Sequence, residues 1–219
     1  MNAMLVAVIV IAVIGVIPVI IRKKLLKIYL TLLQNNDIKA IEDLIATKLA
    51  KICIPPFNRE YLLLNAYLKL NDDKQIDIQV NNIIDHVPMN SKQKSVLAKS
   101  VFYIYVGKKN ESMIDRLLEM VSTTNDHALY RQMDMVNDTL IIGGIKYFDE
   151  LKSDLEDAEY TKDNADTPYF EFLLSVIYKN MGNESKSKEY KNRALEDSKG
   201  TVYELSLIHI SEPTRRTPI

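Results

Sequence analysis

The chain has 219 residues, 28 basic and 29 acidic side chains for a net charge of −1, and 47% apolar residues. That is room for one domain with a packed core plus a short accessory segment, and a balanced charge without a basic tail or an aromatic-basic platform argues against nucleic-acid binding. The single cysteine, Cys53, excludes an intramolecular disulfide and the multi-cysteine metal sites, while six glycines and seven prolines favour helices over many short strands.

The run Met4 to Ile21 (MLVAVIVIAVIGVIPVII) holds no charged or strongly polar side chain, and 13 of its 18 residues are Leu, Ile or Val. At about 1.5 Å per residue a helix of that length covers roughly 27 Å, so a transmembrane anchor is expected here. A signal peptide would carry its positive charge before the apolar run. In this chain Arg22, Lys23, Lys24 and Lys27 follow it instead. Cations are retained on the cytoplasmic side, so the expectation is a single-pass protein of the cell membrane, N-terminus outside and domain in the cytoplasm. A buried core helix is the alternative, weighed down by the lack of any polar face.

From Arg22 onward the apolar residues keep a helical period, as in Ile76, Val80, Ile83, Ile84 and Val87. Turn signals at Asn35-Asn36-Asp37, Asn71-Asp72-Asp73, Gly107 to Asn110, Gly143-Gly144 and Gly182-Asn183 divide the region into helix pairs. Residues 36, 72, 108, 143 and 182 mark these turns at intervals of 36, 36, 35 and 39. Breaks between pairs fall at Pro55-Pro56, Pro88, Asn125-Asp126 and Thr167-Pro168. The expected pairs span about 22–53, 58–87, 91–123, 126–159 and 167–198. A two-helix unit repeated at this period is the signature of an α-solenoid in which each hairpin buries its apolar face on its neighbours.

The fifth unit, TPYFEFLLSVIYKNMGNESKSKEYKNRALEDSKG, resembles the tetratricopeptide repeat (TPR) most closely, through Tyr178 on the first helix, Gly182 in the turn and Ala194 on the second helix. It departs at Ser175, Ser187 and Lys199, where the family prefers glycine, alanine and proline. Tyr67 in the second unit and the Tyr103/Gly107 pair in the third continue the resemblance. The expected fold is all-α, an N-terminal transmembrane helix followed by an α-solenoid of about five TPR-like hairpins. Its parts are an anchor over 1–21, a repeat domain over 22–204 and a non-native tail over 205–219. The tail (LSLIHISEPTRRTPI) abandons the preceding periodicity and resembles sequencing-adapter DNA translated in frame, above all in SLIHISEPTR. His209, Arg215 and Arg216 then carry no function. The natural protein is expected to continue beyond about Glu204, which makes five repeats a minimum.

Little chemistry is visible. His86 and His127 lie on different expected hairpins and read as ordinary surface or interface histidines, and Cys53 at a helix end reads as a structural thiol. Gly143-Gly144 lacks the surroundings of a phosphate loop. The acidic stretch Asp149, Glu150, Asp154, Glu156, Asp157, Glu159, Asp163 and Asp166 lacks the spacing and glycine of a calcium loop and reads as a solvated helix face. No catalytic, cofactor or metal residue is expected, and no enzyme.

The resemblance implies a groove lined by the first helix of each pair, where a protein or peptide partner lies. First-helix candidates to face it are Asn65, Lys69, Lys99, Gln132, Asn137, Glu171 and Lys179. The expected function is a membrane-tethered interaction scaffold or adaptor, in a bacterium given the Ile, Lys and Asn richness. The alternatives are an extracytoplasmic chaperone-like domain that holds exported polypeptides, or a structural subunit of a membrane complex.

Overall fold

The computed structural model describes residues 15–161 and 166–199. Among the described residues every regular element is a helix. In chain order these are α1 (Ile17–Gln34), α2 (Ile38–Ala46), α3 (Lys48–Cys53), α4 (Pro56–Leu70), α5 (Asp73–His86) and α6 (Ser91–Lys108), followed by α7 (Glu111–Ser122) and α8 (His127–Val136). A π-helical segment (Asn137–Ile142) continues α8, and α9 (Phe148–Thr161), α10 (Thr167–Asn180) and α11 (Glu184–Asp197) complete the set. The chain divides into two compact units, residues 1–93 and 94–219.

The expected transmembrane helix over 4–21 requires correction. Among the described residues no helix is long and apolar enough to cross a membrane. Residues 4–14 of the run, like the adapter-like tail, lie outside the described residues. The described part does not stop at Ile21. It enters α1 with Pro18 in its first turn and runs on through Arg22, Lys23, Lys24 and Lys27 to Gln34. Leu25 and Tyr29 on that helix are buried in unit 1, and Ile21 packs against the cluster of Leu25, Ala50, Cys53 and Ile54. Residues 17–21 are thus the opening of the first hairpin's helix, and the four cations sit within it rather than after it.

Five non-helical turns close the expected pairs, and each contains one residue with a left-handed backbone: Asn36, Asn71, Lys109, Gly143 and Gly182. In four of them the next residue is Asp or Asn and performs two tasks. Its N–H closes the preceding helix onto the carbonyl five residues back: Asp37 to Leu32 (3.0 Å), Asp72 to Tyr67 (3.2 Å), Asn110 to Tyr105 (3.0 Å) and Asn183 to Tyr178 (2.8 Å). Its side chain caps the following helix, accepting from the N–H of Ala40, Gln75, Met113 and Lys186, each at 3.1 Å. One dipeptide so satisfies orphan groups of both helices, a Schellman closure fused to an Asx N-cap.

This register moves one residue of the repeat pattern. Tyr67, Tyr105 and Tyr178 occupy the same place before their turns, all three buried. Tyr105, not Tyr103, is therefore the equivalent of Tyr178. Gly107 lies inside α6, and Lys109 takes the left-handed position that Gly182 takes in the fifth unit.

Two hairpins depart from simple pairs. In the first, Thr47 interrupts the second helix: its Oγ1 donates to Leu44 O (2.7 Å) and accepts from Ala50 N (3.2 Å), ending α2 and starting α3. In the fourth, the Asn137–Ile142 π-helical turns lead into Gly143 and Gly144. Gly144 N donates to Asp138 O at 2.7 Å, and the Asp138 carboxylate curls over the loop to accept from Lys146 N at 3.1 Å. A Cβ on Gly144 would overlap that carboxylate. Asn180 of α10 donates through Nδ2 to Thr139 O and Gly144 O, both at 3.1 Å, and holds the loop in place.

Side chains tie the hairpins within each unit. In unit 1 the Tyr29 hydroxyl donates to Leu62 O (2.9 Å), and burial pushes its pKa up to about 12. Tyr67 donates to Glu42 at 2.7 Å. In unit 2 Leu151, Leu173, Leu174, Ile177 and Ala194 form the centre of a core shared by α9, α10 and α11.

The turn chemistry predicts two opposite responses. Asp72→Ala removes the α5 cap and should destabilise the chain by about 1 kcal/mol, whereas Lys109→Gly relieves a left-handed non-glycine residue and should stabilise it by up to about 1 kcal/mol. Urea unfolding of the two variants beside the parent checks both signs. Gly144→Ala should destabilise by about 1–3 kcal/mol through overlap with Asp138, and in Asp138→Ala/Gly144→Ala the cost of the alanine at 144 should largely disappear.

Candidate partner-binding face

The first helices of the third, fourth and fifth hairpins are α6, α8 and α10, and three side chains join them on one face of unit 2. Tyr103 of α6 is 43% exposed, and its hydroxyl accepts from Gln132 Nε2 of α8 at 3.3 Å. The Tyr169 hydroxyl of α10 also approaches it, and burial raises the Tyr103 pKa in spite of both neighbours. Gln132 is itself exposed, and its carboxamide oxygen accepts no hydrogen bond among the described residues. An exposed amide of this kind can pair with the backbone of an extended peptide.

Beside this contact lies a cleft of about 200 Å³. One wall is a stripe of α8 made by Ala128, Arg131, Gln132 and Met135, whose spacing of three, one and three residues puts them on one side of the helix. Asp154 of α9 and Asp166, Tyr169 and Phe170 at the start of α10 line the remainder. Arg131 forms ion pairs with Glu150 and with Asp154, the latter at 3.2 Å. Arg131 therefore meets two carboxylates, and among the described residues the cleft combines an aromatic lining with acidic side chains.

The groove candidates are placed unevenly. Gln132 is on the face just described. Lys179 is exposed near the end of α10, and Lys99 is exposed and paired with Asp126 at 3.4 Å. Asn137 is buried in the π-helical segment, and Glu171 is completely buried. In unit 1, Asn65 is half-buried, while Lys69 donates to Leu33 O and closes the end of α1. Cys53 is buried in its apolar cluster, and His86 and His127 are exposed. Tyr103, Arg131, Asp154 and Tyr169 were not among the groove candidates. The available signal was the pair Tyr103 and Tyr105, which on one helix must point in different directions.

Glu171 is the most perturbed acid. Arg193 Nε lies 2.7 Å from its Oε1 without a well-aligned hydrogen bond, and Asp197 of α11 approaches the same carboxyl. Burial is the largest influence and raises the pKa, Arg193 lowers it, Asp197 raises it again, and the result is about 7. Asp134 goes the other way. Burial disfavours its charge, but hydrogen bonds from Lys146 (2.8 Å) and Tyr147 (2.5 Å) outweigh it and hold the carboxyl below the usual range.

No family model, curated protein or solved structure matches the chain.

Because Glu171 holds its proton up to about pH 7 in the fold and only to its ordinary value of 4.5 when unfolded, the folded chain binds more protons between these limits. The associated stability is full below the lower limit and is lost as pH rises to the upper one. Glu171→Gln should therefore unfold at a higher Tm than the parent at pH 8, with that advantage gone at pH 4. A Tm difference that is the same at both values removes Glu171 as its source.

Proposed function

We propose that the chain is a protein–protein interaction scaffold whose helical hairpins, of a divergent tetratricopeptide type, present a face to a protein or peptide partner. The carrying observation is the Tyr103–Gln132–Tyr169 contact, which brings one side chain from each of three successive first helices to the same surface. The type of repeat is supported by the fused turn device and by Tyr67, Tyr105 and Tyr178 in equivalent positions. Binding on such a face uses exposed aromatic edges and amides that need little reorganisation, because neighbouring hairpins already hold them.

A photo-crosslinking amino acid placed at Tyr103 should capture a partner protein in cells, and the same residue at Glu119, exposed on α7, should not. Equal capture at both positions, or capture at Glu119 alone, would overturn the assignment of the face.

A further inference from the structure

Unit 1 carries a surface of a different character, on which aliphatic side chains stand in solvent beside cations. On α1, Ile17, Ile20, Lys24, Lys27 and Ile28 are all exposed, and their spacing of three, four, three and one residues puts them along one side of the helix. The packed side is another one, made by Ile21, Leu25 and Tyr29. The short helix α3 meets α1 in the cluster of Leu25, Ala50 and Cys53. Its outer residues repeat the pattern, with Leu49 and Ile52 exposed by 54% and 76% and Lys48 and Lys51 exposed next to them. We infer that α1 and α3 dock unit 1 on the surface of an anionic lipid bilayer without crossing it, the aliphatic chains entering at headgroup level and the cations meeting lipid phosphates and carboxylates.

The charge on these two helices has one sign. Arg22, Lys23, Lys24 and Lys27 of α1 and Lys48 and Lys51 of α3 are exposed, and none of their side chains forms an ion pair or hydrogen bond among the described residues. Neither residues 15–36 nor residues 44–59 contain an acid, and residues 1–14 bring none to the start of α1. Of the three acids between the helices, Asp37 caps α2 and Glu42 accepts from Tyr67, which leaves Asp43.

The mixture of side chains selects the occupant. A second copy of the chain could cover the aliphatic residues but would set six cations against six more. A soluble polyanion would meet the cations and leave Leu49 and Ile52 in water. An anionic bilayer satisfies both, because its headgroup boundary takes aliphatic chains to a depth of about 5–10 Å while lysine stems reach back to the charged layer. Each cation near such a surface strengthens attachment about 5-fold.

Flotation of the full chain with vesicles tests this, using phosphatidylcholine alone or with about one-third phosphatidylserine. The chain should favour the anionic vesicles about 10-fold or more, and the preference should shrink as salt is raised. On those vesicles Lys48→Gln with Lys51→Gln should weaken binding about 10-fold, and Leu49→Ser with Ile52→Ser about 5-fold or more. Lys74→Gln with Lys188→Gln, an equal charge change at exposed positions of α5 and α11, should stay within about 2-fold of the parent. Both α3 pairs lie outside the apolar run of residues 4–21, so their effect reports on the described helices and not on that run. Equal binding to the two vesicle types, or binding that neither α3 pair weakens, overturns the inference. Weakening by the lysine pair alone overturns it in favour of a soluble acidic partner. Loss of self-association in sedimentation on Leu49→Ser with Ile52→Ser, with vesicle binding unchanged, overturns it in favour of a second copy.

Discussion

The pairing of helices depends on one local constraint, a left-handed residue followed by Asp or Asn. A helix end leaves unpaired carbonyls and a helix start leaves unpaired amides, and a tight turn between two helices has both within a few residues. Here the same dipeptide closes the first set through its backbone and the second through its side chain. The turn therefore decides where one helix stops and where the next begins. Its repetition places Tyr67, Tyr105 and Tyr178 alike, and the buried aromatic before each turn is a consequence of the register.

Two carboxylates in unit 2 show how far environment outweighs residue type. Asp134 sits beside Lys146 and Tyr147, and their donors favour the ionised form. Glu171 is sealed from solvent with an arginine on one side and a second carboxylate on the other, and burial favours the neutral form. The first is a loop fastener that works best charged. The second sits between α10 and α11 at a place where charge is costly, so the last hairpin carries a proton that the unfolded chain would release.

Much of the architecture was legible because turns are written locally. The five turn sites were readable from Asn, Asp and Gly, and the left-handed residues fall at 36, 71, 109, 143 and 182, within a residue of the expected markers. The interruption at Thr47 was not, since a threonine that bonds backward and forward looks the same in sequence as one on a helix surface. Apolar length at the N-terminus pointed to a membrane span, while the described helix α1 uses the end of that run to enter a hairpin. The face around Tyr103 and Gln132 was the least legible. Gln132 is exposed on it, but Asn137 and Glu171 are buried, because a polar side chain announces solvent only when its side of the helix is known. Tyr103, read as the consensus aromatic, proved to be the exposed neighbour of the true equivalent, Tyr105.

The fused turn also bears on how such a chain changes over generations. Each of the four Asp- or Asn-containing turns is complete within a short stretch, drawing on residues from five before the Asp or Asn to three after it. In the first turn Lys69 of the second hairpin adds a bond to Leu33 O, but the two bonds made by the Asp or Asn are local in all four. A recombination event that copies or deletes one hairpin can therefore carry its turn across intact, and the array can lengthen or shorten by whole units while every remaining helix keeps its own start and stop.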